Sequence, residues 1–137
     1  MSTATQKTGH ATIASYTVAA GQTATLGRGV ILSGADDEVA TAGVASDLVI
    51  GVFKETAAAA ARVEVYLFGP VIRVEVGAGG ATRGNKSEVI ATGLFQDAPA
   101  HDSSGASNDQ IYGIFMQSGV SGDYVGMMLA PSNRGSA

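Results

Sequence analysis

The stretch Asp47–Gly69, DLVIGVFKETAAAAARVEVYLFG, decides the fold. Its five consecutive alanines, Ala57–Ala61, are the strongest helix-favouring run a sequence can offer. They lie between LVIGVF (48–53) and RVEVYLF (62–68), and both of these read as β-strands. In the second, Val63, Val65 and Leu67 alternate with Arg62, Glu64 and Tyr66, the period-two pattern of a sheet with one buried face. A later stretch, DQIYGIFMQSGVSGDYVGMMLAP (109–131), aligns with it without a gap. Asp47 meets Asp109, Gly51 meets Gly113, Phe53 meets Phe115, Val63 meets Val125 and Leu67 meets Leu129. The alanines fall opposite GVSGD, whose two glycines and aspartate favour a turn. An isolated five-residue helix is marginal in any case, because nucleation costs more than one turn returns. The alanine run therefore reads as an inter-strand loop.

Working outward, TIASYTV (12–18), GVILS (29–33), VIRVEV (71–76), SEVIAT (87–92), QIYGIFM (110–116) and DYVGMML (123–129) also read as strands, punctuated by Gly, Asn and Asp. Pro70 lacks a backbone donor and is expected at a strand start or an edge. Upstream of the repeat, TATLGRGVILSG matches GATRGNKSEVIATG only with a gap. The expected architecture is all-β: a small β-sandwich or barrel-like domain of short strands built from two related halves, with an extended N-terminal arm. The arm spans residues 1–12 and the domain residues 13–137, with halves at about 19–76 and 77–131.

Composition narrows the function. The 137 residues are long enough to bury a core without staples, and there is no cysteine for disulfides, thiol catalysis or thiolate-bound metals. Net charge is −4 and only 15% of residues are charged, so no basic field is available for nucleic acid or an anionic membrane. The polar N-terminus lacks a signal-peptide core, and no apolar run is long enough to span a bilayer, so synthesis in a cytoplasm is expected. A surface of small neutral side chains packs against other protein at little desolvation cost.

Stretches that resemble chemistry fail on spacing. GAGGATRGNKS (77–87) has Asn85 between Gly84 and Lys86 where a phosphate loop needs Lys directly after Gly, so it reads as a glycine-rich turn. ADDE (35–38) lacks the order of a calcium loop and reads as a solvated turn. His10 and His101 have no partner at metal-ligand or general-base spacing, and Asp102 and Ser103 beside His101 are loop neighbours, not a triad. No catalytic, cofactor or metal site is expected.

The repeated unit, a strand centred on Gly-Val/Ile-Phe, a small-residue loop and an alternating Val-rich strand, is preceded by AAGQTATLGRGVIL. Across Ala19–Ser33, Leu48–Val76 and Ile111–Leu129 it resembles the capsid decoration (cement) proteins of bacteriophages. The resemblance implies a structural virion protein on the outer surface of the capsid. Its partners would be the major capsid protein and itself, as a homotrimer, and its task to stabilise the mature head. The polar arm and the long loop Gln96–Asp109 depart from the repeat and are expected to carry the grip on this protein's own shell. An extended arm adds main-chain hydrogen bonds to a neighbour's sheet edge, so Thr3, Ala4, Thr5, Gln6, Lys7, Thr8 and His10 are the expected capsid- or neighbour-binding residues. Asp36, Asp37, His101 and Asp102 mark the expected inter-subunit loops. The alternative reading is a ligand-binding β-sandwich of a phage fibre or surface protein, which needs exposed aromatics gathered at one end. Tyr16, Tyr66, Tyr112 and Tyr124 all fall within strands instead.

Overall fold

The computed structural model describes residues 12–44, 47–98 and 110–133. Among these residues nine strands follow in order: β1 (Thr12–Val18), β2 (Gly29–Leu32), β3 (Glu38–Thr41), β4 (Gly51–Phe53), β5 (Arg62–Glu75), β6 (Ser87–Val89), β7 (Phe95–Asp97), β8 (Gln110–Phe115) and β9 (Tyr124–Asn133). Among the described residues the only helical element is a 3₁₀ turn at Ala91–Gly93, so the fold is all-β. The alanine run is a turn. Ala57 exchanges hydrogen bonds with Ala24 at 2.9 and 3.0 Å, and Ala61 N–H closes on the Ala58 carbonyl at 3.1 Å. Ala60 sits in the left-handed region at φ +69°.

The first five strands close on themselves. Their order is β1–β3–β2–β4–β5, with β5 returning to pair antiparallel with β1, which removes both sheet edges. Only β1–β3 is parallel. A second circuit repeats this plan with the C-terminal part of β5 in the role of β1. That part pairs with β9 and β9 with β8, while β6 pairs with β7. Two isolated bridges close the loop: Val76 with Phe95, parallel, and Lys86 with Ile114, antiparallel.

The two circuits share hydrogen bonds position for position. Gly27 N–H to Phe53 C=O recurs as Gly84 to Phe115, and Phe53 N–H to Arg28 C=O as Phe115 to Asn85. Lys54 N–H to Glu64 C=O recurs as Met116 to Gly126, and Ala19 N–H to Val39 C=O as Gly77 to Phe95. Glycine is required at one place in each. A Cβ on Gly51 would lie 2.1 Å from the Tyr66 carbonyl oxygen, and one on Gly113 2.0 Å from that of Met128.

Where the sequence reads two strands separated by Gly69-Pro70, the structure has one continuous β5. Its first part pairs with β1 and β4 and its last part with β9. The register with β9 shifts between Gly69 and Ile72, so Pro70 falls at a bulge, the interior position where a missing donor costs no regular ladder bond. β3 and β7, of four and three residues, were not expected from the sequence.

Each circuit holds its own core. Val18, Ala24, Val30, Val39, Phe53, Val63 and Val65 fill the first. Ile72, Val74, Val76, Ala81, Phe95, Phe115, Val125 and Met127 fill the second. Ala42, Val49 and Val52 of the first circuit join the second cluster beside Val89 and Tyr112, so the two barrels bury a common seam. There Phe95 meets Tyr112 edge-to-face at 6.3 Å and 78°, and the Tyr112 hydroxyl donates to the Asp47 carbonyl. Ser87 occupies the place that Val30 has in the first barrel, with its Oγ buried and unpaired.

Candidate interaction surface

The β2–β3 turn carries two of the residues singled out in the sequence. Ser33 N–H bonds to Glu38 C=O at 3.0 Å across it, and Asp37 adopts φ +67°. Asp37 is a structural pin. Its carboxylate pairs with Arg62, and Arg62 also donates to Thr17 Oγ1 and to the Ser15 carbonyl, both at 3.0 Å. The guanidinium thereby ties the turn to β1. Asp36 lies one residue outward and is exposed, without a side-chain partner among the described residues. Thr3, Ala4, Thr5, Gln6, Lys7, Thr8, His10, His101 and Asp102 lie outside the described residues.

A second surface was not foreseen. On the outer face of the second barrel, Met116 on the strand edge, Gly126 on β9 and Arg73 on β5 form a row, with Tyr124 and Met128 on either side of Gly126 along β9. Met116, Tyr124 and Met128 are all counted among the exposed large apolar side chains. The first barrel serves as an internal comparison. Its corresponding positions hold Lys54, Glu64, Ser15, Arg62 and Tyr66. Lys54 and Glu64 make an ion pair at 3.2 Å, and this bond to Glu64 raises the Lys54 ammonium above its ordinary value. The same backbone thus carries the Lys54–Glu64 ion pair on one barrel and Met116 and Gly126, beside Arg73, on the other. Folding does not require the apolar version, since its duplicate folds with charges.

Beside this row a cleft of about 370 Å³ is lined by Leu26, Tyr66, Ile72, Arg73 and Tyr124. Gly27, at φ +85°, lets the chain pass close to the Tyr124 ring: a Cβ there would come within 2.8 Å of it. The phenol donates to Glu75 Oε1 at 3.3 Å, and Glu75 in turn holds Arg28 at 3.0 Å. Burial, and then the neighbouring Glu75 carboxylate, push the Tyr124 phenol above its ordinary value. The Arg73 guanidinium lies 5.9 Å from the Tyr124 ring centroid, within cation–π range. Arg73 has no carboxylate partner among the described residues. The residues of this face lie in QIYGIFM, VIRVEV and DYVGMML, which the sequence analysis reads only as strands.

The glycine-rich stretch at 77–87 makes two tight turns, with Gly80 N–H on Gly77 C=O and Asn85 N–H on Thr82 C=O, so those donors are occupied within the chain. No cluster of three or more potential metal ligands occurs among the described residues.

With this geometry in hand, comparison with solved structures gives a likeness of fold. The fold is similar to the crystal structure of the head fiber gp8.5 N base in bacteriophage phi29, with a TM-score of 0.68. The match covers 92% of this chain and 98% of that one, at 16% sequence identity. At that identity the likeness is one of fold. No protein-family model matches the sequence, and no curated protein matches it.

Proposed function

We propose that this chain is a structural protein of a phage head, bound to the outer surface of the capsid lattice, where it stabilises the mature shell without catalysis of its own. The observation that carries this reading is the fold likeness to a head fiber base over nearly the whole of both chains. The resemblance of the repeated unit to capsid decoration proteins, found in the sequence alone, points the same way. In this reading the major capsid protein is the partner, the chain associates with itself as a homotrimer, and the domain is one duplicated β-unit behind a docking arm of residues 1–12. Thr3–His10 grip the shell or a neighbour, and Asp36, Asp37, His101 and Asp102 belong to loops between subunits. The Met116–Gly126–Arg73 face is the surface this reading assigns to the shell, because it exposes Met116, Tyr124 and Met128 where its duplicate carries the Lys54–Glu64 ion pair.

The test is co-sedimentation of the purified chain with cognate heads, before and after expansion. Saturable binding to expanded heads at a fixed ratio to capsid subunits is expected; no binding to any head overturns the proposal. The cleft beside Tyr124 favours, as a second reading, a ligand-binding module on a fibre, and binding to a glycan array in the absence of shell binding would select it.

A further inference from the structure

The seam between the two barrels points to a contact between chains. Within the chain, the β6–β7 turn of the second barrel caps the end of the first at Arg28, Gly29 and Thr41. A Cβ on Gly93 would lie 2.7 Å from Thr41 Cγ2 and 3.1 Å from Arg28 Cβ, and Arg28 Nη1 donates to the Thr92 carbonyl at 3.4 Å. Behind the turn, Val89 is wholly buried, and a Cβ on Gly29 would lie 3.2 Å from its Cγ2.

The first barrel has the corresponding turn, one residue longer, and leaves it uncovered. Leu32 pairs with Val39 as Val89 pairs with Phe95, yet Leu32 is 60% exposed where Val89 is 0% exposed. Asp37 stands in the left-handed position that Gly93 occupies in the second turn, at φ +67° against +80°. The surface that would cap it is also duplicated. Arg28, Gly29 and Thr41 correspond to Asn85, Lys86 and Asp97 on the second barrel, where Asn85 and Lys86 are exposed.

Charge favours the match at Lys86, while the receptor's own carboxylate, Asp97, is held by Thr82 N–H and Oγ1 at 2.8 and 2.6 Å. Asp36 and Glu38 are the two carboxylates of the described residues that make no hydrogen bond or ion pair. Both belong to the uncovered turn. The Lys86 ammonium is likewise unpaired, and Lys86 replaces the glycine of the intrachain version. Its aliphatic stem gives Leu32 an apolar surface while its head faces carboxylates.

We infer that the β2–β3 turn of one chain, with Leu32, Asp36 and Glu38, docks on Asn85–Lys86 of a second copy, repeating between chains the contact that joins the two barrels within one. The contact is head-to-tail: the turn and its receptor lie on different barrels, so each copy uses one surface to give and another to receive. Such a contact closes into a ring when its rotation permits and extends into a filament otherwise. The inference rests on the self-association part of the proposed function and names the surface that performs it.

The test is sedimentation velocity of the full chain and of three variants: Lys86→Glu, the double reversal Asp36→Lys with Glu38→Lys, and all three together. Asp36 and Lys86 are exposed and Glu38 is half-buried, and far-UV circular dichroism checks that each variant folds. Each reversal alone is expected to weaken association about tenfold or more, because like charges then face each other, and the triple variant to recover to within about threefold of wild type. Assembly unchanged by Lys86→Glu, or unrecovered in the triple variant, overturns this contact while leaving self-association in place. A wild-type chain that stays monomeric at every concentration overturns the contact and the self-association together, and leaves shell binding to be judged by co-sedimentation.

Discussion

Replacing Gly51 or Gly113 by alanine should damage the fold severely and to the same degree. In the present backbone the new Cβ would sit 2.1 Å from the Tyr66 carbonyl oxygen at position 51, and 2.0 Å from that of Met128 at position 113. Val65 Cγ1, at 2.9 Å, blocks escape at the first site, and Met127 Cγ, at 3.2 Å, crowds the second. The obstacle is backbone, so no side chain can swing away. The strands must part by roughly 1 Å, stretching bonds such as Lys54 N–H to Glu64 C=O at 3.0 Å and Met116 N–H to Gly126 C=O at 2.8 Å. Overpacking with backbone displacement costs about 1–3 kcal/mol and sometimes more, and here the lost ladder bonds add about 1 kcal/mol each, so about 3–5 kcal/mol is expected per substitution. A domain of this size is stable by only about 5–15 kcal/mol, so the shift is plain in a urea titration. Gly34, with no atom near its would-be Cβ, is the control, and Gly34→Ala should change stability by less than about 1 kcal/mol. A Gly51→Ala or Gly113→Ala variant within about 1 kcal/mol of wild type would refute the close strand approach on which the duplicated register rests.

Ser87→Ala should raise stability by about 1–2 kcal/mol, because it removes a buried hydroxyl that has no partner; a loss of stability in the same titration would mean that the hydroxyl is bonded. Ala60→Gly should stabilise by up to about 1 kcal/mol, since Ala60 sits at φ +69°, whereas Gly122→Ala at φ +92° in the duplicate turn should destabilise by about the same amount; thermal melts of the pair check the sign reversal. The Tyr124 phenol titrates above its ordinary 10.0, so its contribution to stability is complete below that value and is lost as pH rises through the folded-state value; subtracting the absorbance titration of Tyr124→Phe from that of wild type should isolate one late-ionising phenol. Met116→Lys with Met128→Lys places charge at two exposed positions of the second barrel's face and should leave the fold intact while weakening shell binding at least tenfold in co-sedimentation.

How far the sequence could be read depended on what its neighbours constrained. The alanine run was legible as a turn because its duplicate GVSGD favours a turn over a helix, and Ala60 occupies the left-handed position that Gly122 fills there. Val63, Val65 and Leu67 alternate over a buried face, and that pattern survives in β5. Pro70 misled. It marks a bulge within one strand, because a register shift absorbs the missing donor as well as a strand end does. β3 and β7 escaped notice because strands of four and three residues are too short to display alternation. Asp36 and Asp37 looked alike in ADDE, and only tertiary structure separates the carboxylate held by Arg62 from the free one. The apolar face of the second barrel was hidden because alternation says which residues point outward, not what they meet. Only the charged duplicate at Lys54 and Glu64 gives it meaning.

The most direct test of the account is a difference map from cryo-electron microscopy of expanded cognate heads, with and without the bound chain. Ordered density is expected outside the shell, repeated at fixed lattice positions, with the Met116–Gly126–Arg73 face turned toward the capsid. Heads that show no added density at saturating protein would contradict it.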